Sequence, residues 1–438
     1  MSRTPASRER SPMKLVIPSN FQPDLVERVK GPRAHSIYAR LPVDFVGGGR
    51  SPVLLPSVSR KRAEAHIAEC HRAGLRFNYV LNSPSLNNQE FSRAGQRKLR
   101  SLLEWIDQAG ADEVTVTIPY LLELVKRHHP RLEVSVSTFA GVANPQRARR
   151  WQDLGADCIT LSVTGVGRSF KTMAAIRRAV DIELQVIGNL LCVHQCPYDH
   201  YHGIIEGHAS QEGHPLHGFV LDYCRLHCLN DALRTPANFL RAAWIRPEDQ
   251  GAYEDLGIDR LKLVNRIMVT PQIGQIVDAY RQRRFDGNLF ELLGFPANRT
   301  VGAWGYQALW RQVRYYLRPR LVNVVKLRRS ASKIAKTDGF YLDNRKLDGF
   351  LDYFVRNDCF ERSCADCKYC DHAAEKALRV EEKARGRMAR QTGETLDGLV
   401  SGDVFRWDVK GSLDALIGAE PSDADALDET SGTSTTDE

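Results

Sequence analysis

Nowhere do the 438 residues run to the eighteen or more consecutive apolar positions that a membrane-spanning helix requires. The opening "MSRTPASRERSP" is basic and rich in Ser and Pro, and it leads into no apolar signal core. Both absences lead us to expect a cytoplasmic protein without a membrane span. No G-x-G-x-x-G follows the first strand-like run, so a dinucleotide fold has no motif behind it. G-x-S-x-G and H-E-x-x-H are missing too, which leaves serine-hydrolase and zinc-peptidase chemistry without a signature. The stretch 311–337 contains nine Lys/Arg and no acid, while the last nineteen residues contain seven acids and no base. The net charge of +8 therefore becomes +15 with that tail set aside. A basic body suits an anionic partner such as RNA or a carboxylated metabolite, and equally a solvated basic helix face.

What is present is a regular alternation. Strand candidates are "KLVIPS" (14–19), "SIYARL" (36–41), "RFNYVLN" (76–82), "EVTVTIP" (113–119), "EVSVSTF" (133–139), "DCITLSV" (157–163), "ELQVIGN" (183–189) and "RLKLVNR" (260–266). Most are continuous and β-branched, as strands covered on both faces are. Between them lie amphipathic segments that end in Gly, such as "SRKRAEAHIAECHRAG" and "SRAGQRKLRSLLEWIDQAG". The pattern predicts an α/β fold, a TIM-like (β/α)-barrel with a small helical, cysteine-containing C-terminal extension. The expected segments are a disordered basic N-terminus (1–12), the barrel (13–285), a basic helical extension (286–345) with Trp304 and Trp310, a cysteine knuckle with a charged helix (346–392), a C-terminal segment (393–418) and a disordered acidic tail (419–438). "VGGGR" (46–50) reads as a flexible barrel loop or as a cradle for phosphate or carboxylate.

Ten cysteines in a chain expected in a reducing compartment do not suggest a disulfide scaffold. Cys70 and Cys158 stand alone and read as core residues. Cys192 and Cys196 form one C-x3-C just after the "ELQVIGN" run, and Cys224 and Cys228 form another. In an α/β barrel the chemistry sits at the C-terminal ends of the strands, so these thiols belong on the catalytic face. Each C-x3-C is expected to project its sulfurs from one helical turn. Three states compete: a four-iron four-sulfur cluster, structural zinc, and unligated thiols. Position at a barrel mouth favours the cluster. Cys359, Cys364, Cys367 and Cys370 form C-x4-C-x2-C-x2-C, a metal knuckle suited either to a second iron–sulfur cluster or to zinc.

His194, His200, His202, His208, His214 and His217 crowd the segment between the two barrel pairs. His202, with Tyr198 and Tyr201, is the candidate for substrate contact or proton transfer. His35 is a weaker candidate. Ser19, Asn20, Asn82, Tyr120 and Arg266, at strand ends, are expected to line the pocket.

Together, "KLVIPSNF", "VTIPYLLELVKRHHP", "VSVSTFAGV", "WQDLGADCITLSV", "NLLCVHQCPYDHYH", "DYCRLHC", "WIRPEDQGAYEDLGIDRLKLVNR" and "DAYRQRRFDGNLFELL" resemble the collagenase-like peptidase U32 family over roughly 14–285. The resemblance implies a (β/α)-barrel and a cluster on Cys192, Cys196, Cys224 and Cys228. Several members of such families look like iron–sulfur proteins that support oxygen-independent hydroxylation. Their targets are ubiquinone precursors, with a heterodimeric pair, or a base in transfer or ribosomal RNA. Prephenate is implicated as oxygen donor for some. The resemblance thus implies a hydroxylase-type oxidoreductase acting on a small aromatic or lipid precursor or an RNA base, and a homologous heterodimer partner. A peptidase or peptide-modifying enzyme is the alternative, and an iron–sulfur RNA-binding scaffold a third reading. The spacing C-x3-C-x27-C-x3-C is tighter than the family's better-known pattern, so substrate and donor do not carry over.

Overall fold

The structure, a computed structural model, describes residues 11–52, 55–215, 218, 220–294, 323 and 339–406. Residues 1–10 of the basic N-terminus, most of the 286–345 extension with Trp304 and Trp310, His217 and the acidic tail lie outside the described residues.

Eight parallel strands close into a barrel in sequence order. They are β1 (Lys14–Pro18), β2 (Ala34–Ala39), β3 (Arg76–Leu81), β4 (Glu113–Val116), β5 (Glu133–Val136), β6 (Cys158–Thr160), β7 (Glu183–Ile187) and β8 (Arg260–Lys262). β8 pairs with both β7 and β1, which completes the circle. All eight predicted runs are strands, but several stop early. "EVTVTIP" leaves the sheet after Val116, because Pro119 lacks an N–H and begins a helix instead. "RLKLVNR" pairs over three residues only, and its remainder turns into the mouth of the barrel.

The covering helices begin where side chains satisfy their first N–H groups. Ser59 caps α1 (Arg60–Arg72), Ser92 caps α2 (Arg93–Gln108), and Asn144 with Pro145 opens α4 (Pro145–Asp153), which follows α3 (Pro119–His128). α5 (Phe170–Ala179) is capped by Ser169. Their apolar faces bury residues such as Ile67, Leu103, Trp151 and Ile176 against the outside of the barrel. Cys70 and Cys158 are buried core residues, as expected.

The connection between β7 and β8 is far longer than the others. It holds α6 (Asp199–Ala209), α7 (Tyr223–Arg234) and the short α8 (Asn238–Arg241) before the chain returns to β8. α9 (Thr270–Gln282) then closes the outer ring. Beyond it, β9 (Phe340–Leu342) and β10 (Leu378–Val380) form an antiparallel pair. α10 (Cys364–Cys367) and α11 (Tyr369–Ala377) lie between these strands, and α12 (Glu382–Ser401) packs along α7. The extension is fastened to the barrel by Trp244, whose ring stacks on Phe350 at 5.7 Å, and by buried Arg246, whose Nε donates to Asn344 Oδ1 at 2.9 Å. Among the described residues no helix is long and apolar enough to cross a membrane.

The backbone of "VGGGR" is hydrogen-bonded in place and has no free N–H groups to cradle an anion. Asp44 Oδ1 accepts from Val46 N (3.0 Å) and Gly47 N (2.7 Å), Ser210 Oγ accepts from Gly48 N (2.8 Å), and Asn82 Oδ1 accepts from Gly49 N (3.0 Å). Its N–H groups are thus taken by the protein itself. Gly47 has φ +80°, and a Cβ there would stand 2.4 Å from the Gly207 carbonyl oxygen of α6. Gly47→Ala should therefore lower stability by about 1–3 kcal/mol, through strain and the forced retreat of α6. Gly213→Ala, also at positive φ but with nothing within 4 Å, should cost less. Thermal unfolding of the two variants checks this, and equal losses would refute the close-approach argument.

His35 sits at the start of β2, on the floor of the barrel and away from the strand C-termini, so it is no candidate for substrate contact. Burial, then the charges of Arg260, Lys14 and Arg76, hold its pKa down from 6.5 to about 4. Between those two values the unfolded chain binds a proton that the native state does not, so stability falls as pH drops from about 6.5 to 4. His35→Phe should remove about 2 kcal/mol of that loss between pH 7 and pH 4.5. Urea unfolding at the two pH values measures it, and an unchanged difference would exclude the imidazole as its source.

Candidate metal centre

The four barrel cysteines converge from two different local structures. Cys224 and Cys228 lie one turn apart on α7, as their spacing predicted. Cys192 and Cys196 do not share a helix; they lie in the loop that leaves β7. That loop is pinned by Ala243 N donating to Cys192 O (3.1 Å) and by Gln195 N donating to Thr164 O (2.7 Å). Gln195 adopts φ +56°, which turns the chain so that both thiols face inward. The helical expectation failed for this pair because C-x3-C spacing is compatible with either geometry, and the anchors Thr164 and Ala243 are remote in sequence.

All four cysteines line one cavity of about 150 Å³, together with Arg50, Tyr198, His202 and Arg225. Leu190, Leu191, Leu229 and Phe239 supply its apolar wall. Burial pushes the Cys224 thiol up to about 12 and Cys228 up to about 11, and raises Cys192 and Cys196 as well. Mutual repulsion adds to this: Cys228 and Cys196 act on Cys192, and Cys196 acts on both cysteines of α7. Without a cation among them, four such thiols stay neutral.

His202 lies on α6 and meets Asp222 at 3.2 Å. Burial alone would lower the imidazole pKa, but the hydrogen bond and charge of Asp222 outweigh it, and the net shift is upward. Asp222 is also the N-cap of α7, accepting from Arg225 N at 3.1 Å. Buried Glu206 completes a compact acid–base triad, with ligand atoms of His202, Glu206 and Asp222 within 4.8 Å of one another. Burial and the charge of Asp222 raise the Glu206 pKa, and its carboxylate accepts from Ser51 N.

The remaining predicted residues divide. Tyr198 reaches the cavity and stacks on His227 at 5.0 Å. Tyr201 does not: it is 53% exposed on the outer face of α6, so its assignment to catalysis is corrected. Ser19 and Asn20 are buried structural groups, Ser19 Oγ bonding His66 Nε2 at 2.8 Å and Asn20 bonding Met268 O at 3.0 Å. Tyr120 accepts from Gln96 and packs on Phe91, outside the cavity. Asn82 is spent on Gly49 and Ser137. Arg266 is buried near the mouth, where its charge acts with those of Arg40 and Arg50, and its Nη1 has no partner. Arg50, Arg225, Asp222 and Glu206 were missed. The available signals were the Arg that closes "VGGGR" and the Asp that precedes "YCRLHC" in cap position.

The second cysteine set lies on the outside of the barrel. Cys359, Cys364, Cys367 and Cys370 line a separate pocket with Arg241, Tyr353 and Tyr369. Among the described residues, three ligand atoms within 4.8 Å of one another occur at the His202 triad and in neither cysteine set.

A protein of Methanocaldococcus jannaschii described as an uncharacterized protease is 28% identical over 344 residues, covering 78% of this chain and 89% of its own. The solved structure of the U32 peptidase Mk0906 is 21% identical and covers 60% of this chain and 97% of its own, with a TM-score of 0.44. A δ-aminolevulinic acid dehydratase from Toxoplasma gondii is 10% identical and covers 60% and 85%, with a TM-score of 0.32. The model of peptidase family U32 matches residues 56–284, which include β3 to β8 and all four barrel cysteines, and the chain belongs to that family.

Proposed function

We propose that Cys192, Cys196, Cys224 and Cys228 hold a four-iron four-sulfur cluster and that the protein is a hydroxylase-type oxidoreductase that does not use molecular oxygen. The observation that carries the cluster is the arrangement of the thiols. Tetrahedral zinc with Zn–S near 2.3 Å needs sulfurs about 3.8 Å apart. Here no three sulfurs come within 4.8 Å of one another, although all four line one cavity. A shared cavity of about 150 Å³ lined by four cysteines suits a cluster that binds each thiolate at a different corner.

When bound, such a cluster supplies one-electron redox chemistry. The chain's own residues do the rest. Arg50 and Arg225 present positive charge for an anionic group of the substrate or its oxygen donor. His202, held by Asp222, can take or give a proton at Nε2 when that contact opens. Leu190, Leu191 and Leu229 exclude water from the thiol side. The substrate classes are a small aromatic or lipid precursor and an RNA base.

Peptidase chemistry is the second reading, favoured by the names of the family and its relatives. A cysteine nucleophile needs a lowered pKa beside a base. Burial here moves all four thiols the other way.

Anaerobically purified protein should be brown and carry about four iron atoms at this site. Cys196→Ala or Cys224→Ala should bleach the broad visible absorption assigned to it. A colourless intact protein with stoichiometric zinc would refute the cluster. For the reaction, nucleosides and quinone precursors from cells with and without the gene, grown without oxygen, should differ by one oxygen atom in one compound. Identical mass profiles, with casein cleaved by the purified protein, would favour the peptidase reading.

A further inference from the structure

Cys359, Cys364, Cys367 and Cys370 need not sit near the barrel cysteines, since more than a hundred residues separate the sets in sequence. The fold nevertheless brings them to opposite sides of one thin wall. That wall is α8: Asn238 and Phe239 face the barrel cavity, while Arg241 lines the outer pocket. An α-helix is about 10 Å across, a short span for electron tunnelling. A second contact runs beside it. His194, between Cys192 and Cys196, meets the ring of Phe360, next to Cys359, edge-on at 4.9 Å. Ser169 Oγ donates to Asp358 at 3.1 Å and Lys171 pairs with Glu361 at 2.8 Å, so the knuckle is fixed against the barrel rather than tethered to it.

The pocket is also prepared for negative charge. Arg168, 5% exposed, lies beneath it, with its guanidinium 4.5 Å from the Trp244 ring and 5.0 Å from Phe350. Its Nη atoms donate to Leu240 O (2.7 Å) and Trp244 O (3.1 Å), while Nε has no partner. Its charge acts on both Cys359 and Cys370. Arg241, which pairs with Asp371 at 2.7 Å, likewise leaves a buried Nε unpartnered. Two guanidinium groups, each with an unpartnered Nε, thus stand by Cys359 and Cys370, which suits an anionic thiolate-ligated centre. No carboxylate among the described residues answers Arg168 directly. Tyr353 Oη lies 3.0 Å from Cys367 Sγ and can donate to that sulfur once it is a thiolate. The sulfurs again fail to gather three within 4.8 Å, which argues against a collapsed zinc knuckle.

We propose that Cys359, Cys364, Cys367 and Cys370 hold a second iron–sulfur centre and that α8 and the His194–Phe360 contact wire it to the barrel centre as an electron entry point. An external one-electron donor protein loses one electron, the outer centre accepts it, and the barrel centre receives it; no bond forms and no proton moves. The second centre stands on its own residues, whereas the wiring rests on the barrel cluster proposed above.

The test uses the full chain, reconstituted anaerobically with iron and sulfide. The intact protein should carry about eight irons, and Cys364→Ser/Cys367→Ser and Cys192→Ser/Cys224→Ser about four each. Dithionite-reduced intact protein should show an electron paramagnetic resonance spectrum broadened by spin–spin interaction, and each double variant a simple uncoupled one. Circular dichroism matching the intact protein confirms that each variant is folded. For a variant that is not folded, the single exchange Cys370→Ser or Cys228→Ser takes its place. A Cys192→Ser/Cys224→Ser protein that keeps four irons supports the outer centre, including the case in which the intact protein also holds only four and the barrel reading fails. An outer site that takes one zinc, or an iron content unchanged by loss of Cys364 and Cys367, overturns the proposal. Eight irons with two non-interacting spectra overturn the wiring.

Discussion

The barrel closes on a strand only three residues long, and one arginine holds it there. Arg260 begins β8, between β7 and β1, with its side chain 3% exposed. Its guanidinium reaches across the floor to Glu113 of β4 at 2.9 Å and to Glu183 of β7, with Glu133 of β5 at 3.7 Å. A buried cation answered by three carboxylates ties strands from opposite sides of the circle together. Taking that cation away would strand Glu113, 1% exposed, at a cost of about 3–5 kcal/mol. With the floor fixed this way, the return to β8 tolerates the long excursion that precedes it. That excursion carries the four barrel cysteines.

The mouth is organised by a different device, one residue serving several neighbours. Asp222 caps the helix that bears Cys224 and Cys228, pairs with His202 from α6, and faces half-buried Arg225. Moving it would displace two thiols and His202 at once. Close approach does the same for α6 as a whole, since Gly207 touches Ser83 and Gly47 with no side chain of its own. Floor and mouth thus rest on different devices, and in barrels of this kind the mouth is the end where chemistry sits.

Much of this was legible. Continuous β-branched runs mark strands covered on both sides, and all eight were readable because the signal is local. Paired cysteines after β7 were readable because position in a barrel predicts which end a loop joins. What was not legible depended on distant partners. "VGGGR" reads as loose until Asp44, Asn82 and Ser210 take its N–H groups. Tyr198 and Tyr201 look equivalent in sequence, yet the start of α6 points one inward and leaves the other in water. The outer cysteine set reads as a metal knuckle, but nothing local said that its pocket would border the same short helix as the first cavity.

That proximity gives the buried arginines a common logic. A guanidinium stripped of water is costly unless an anion answers it. Arg168, Arg225 and Arg266 are all held below their ordinary pKa, with burial as the leading cause. The cysteines beside them are raised for the same reason. Each set of groups is unfavourable where it stands, and in opposite sense. On the reading proposed above, metal-bound thiolates at the two cysteine sets would place negative charge beside Arg168 and Arg225, and both penalties would fall together.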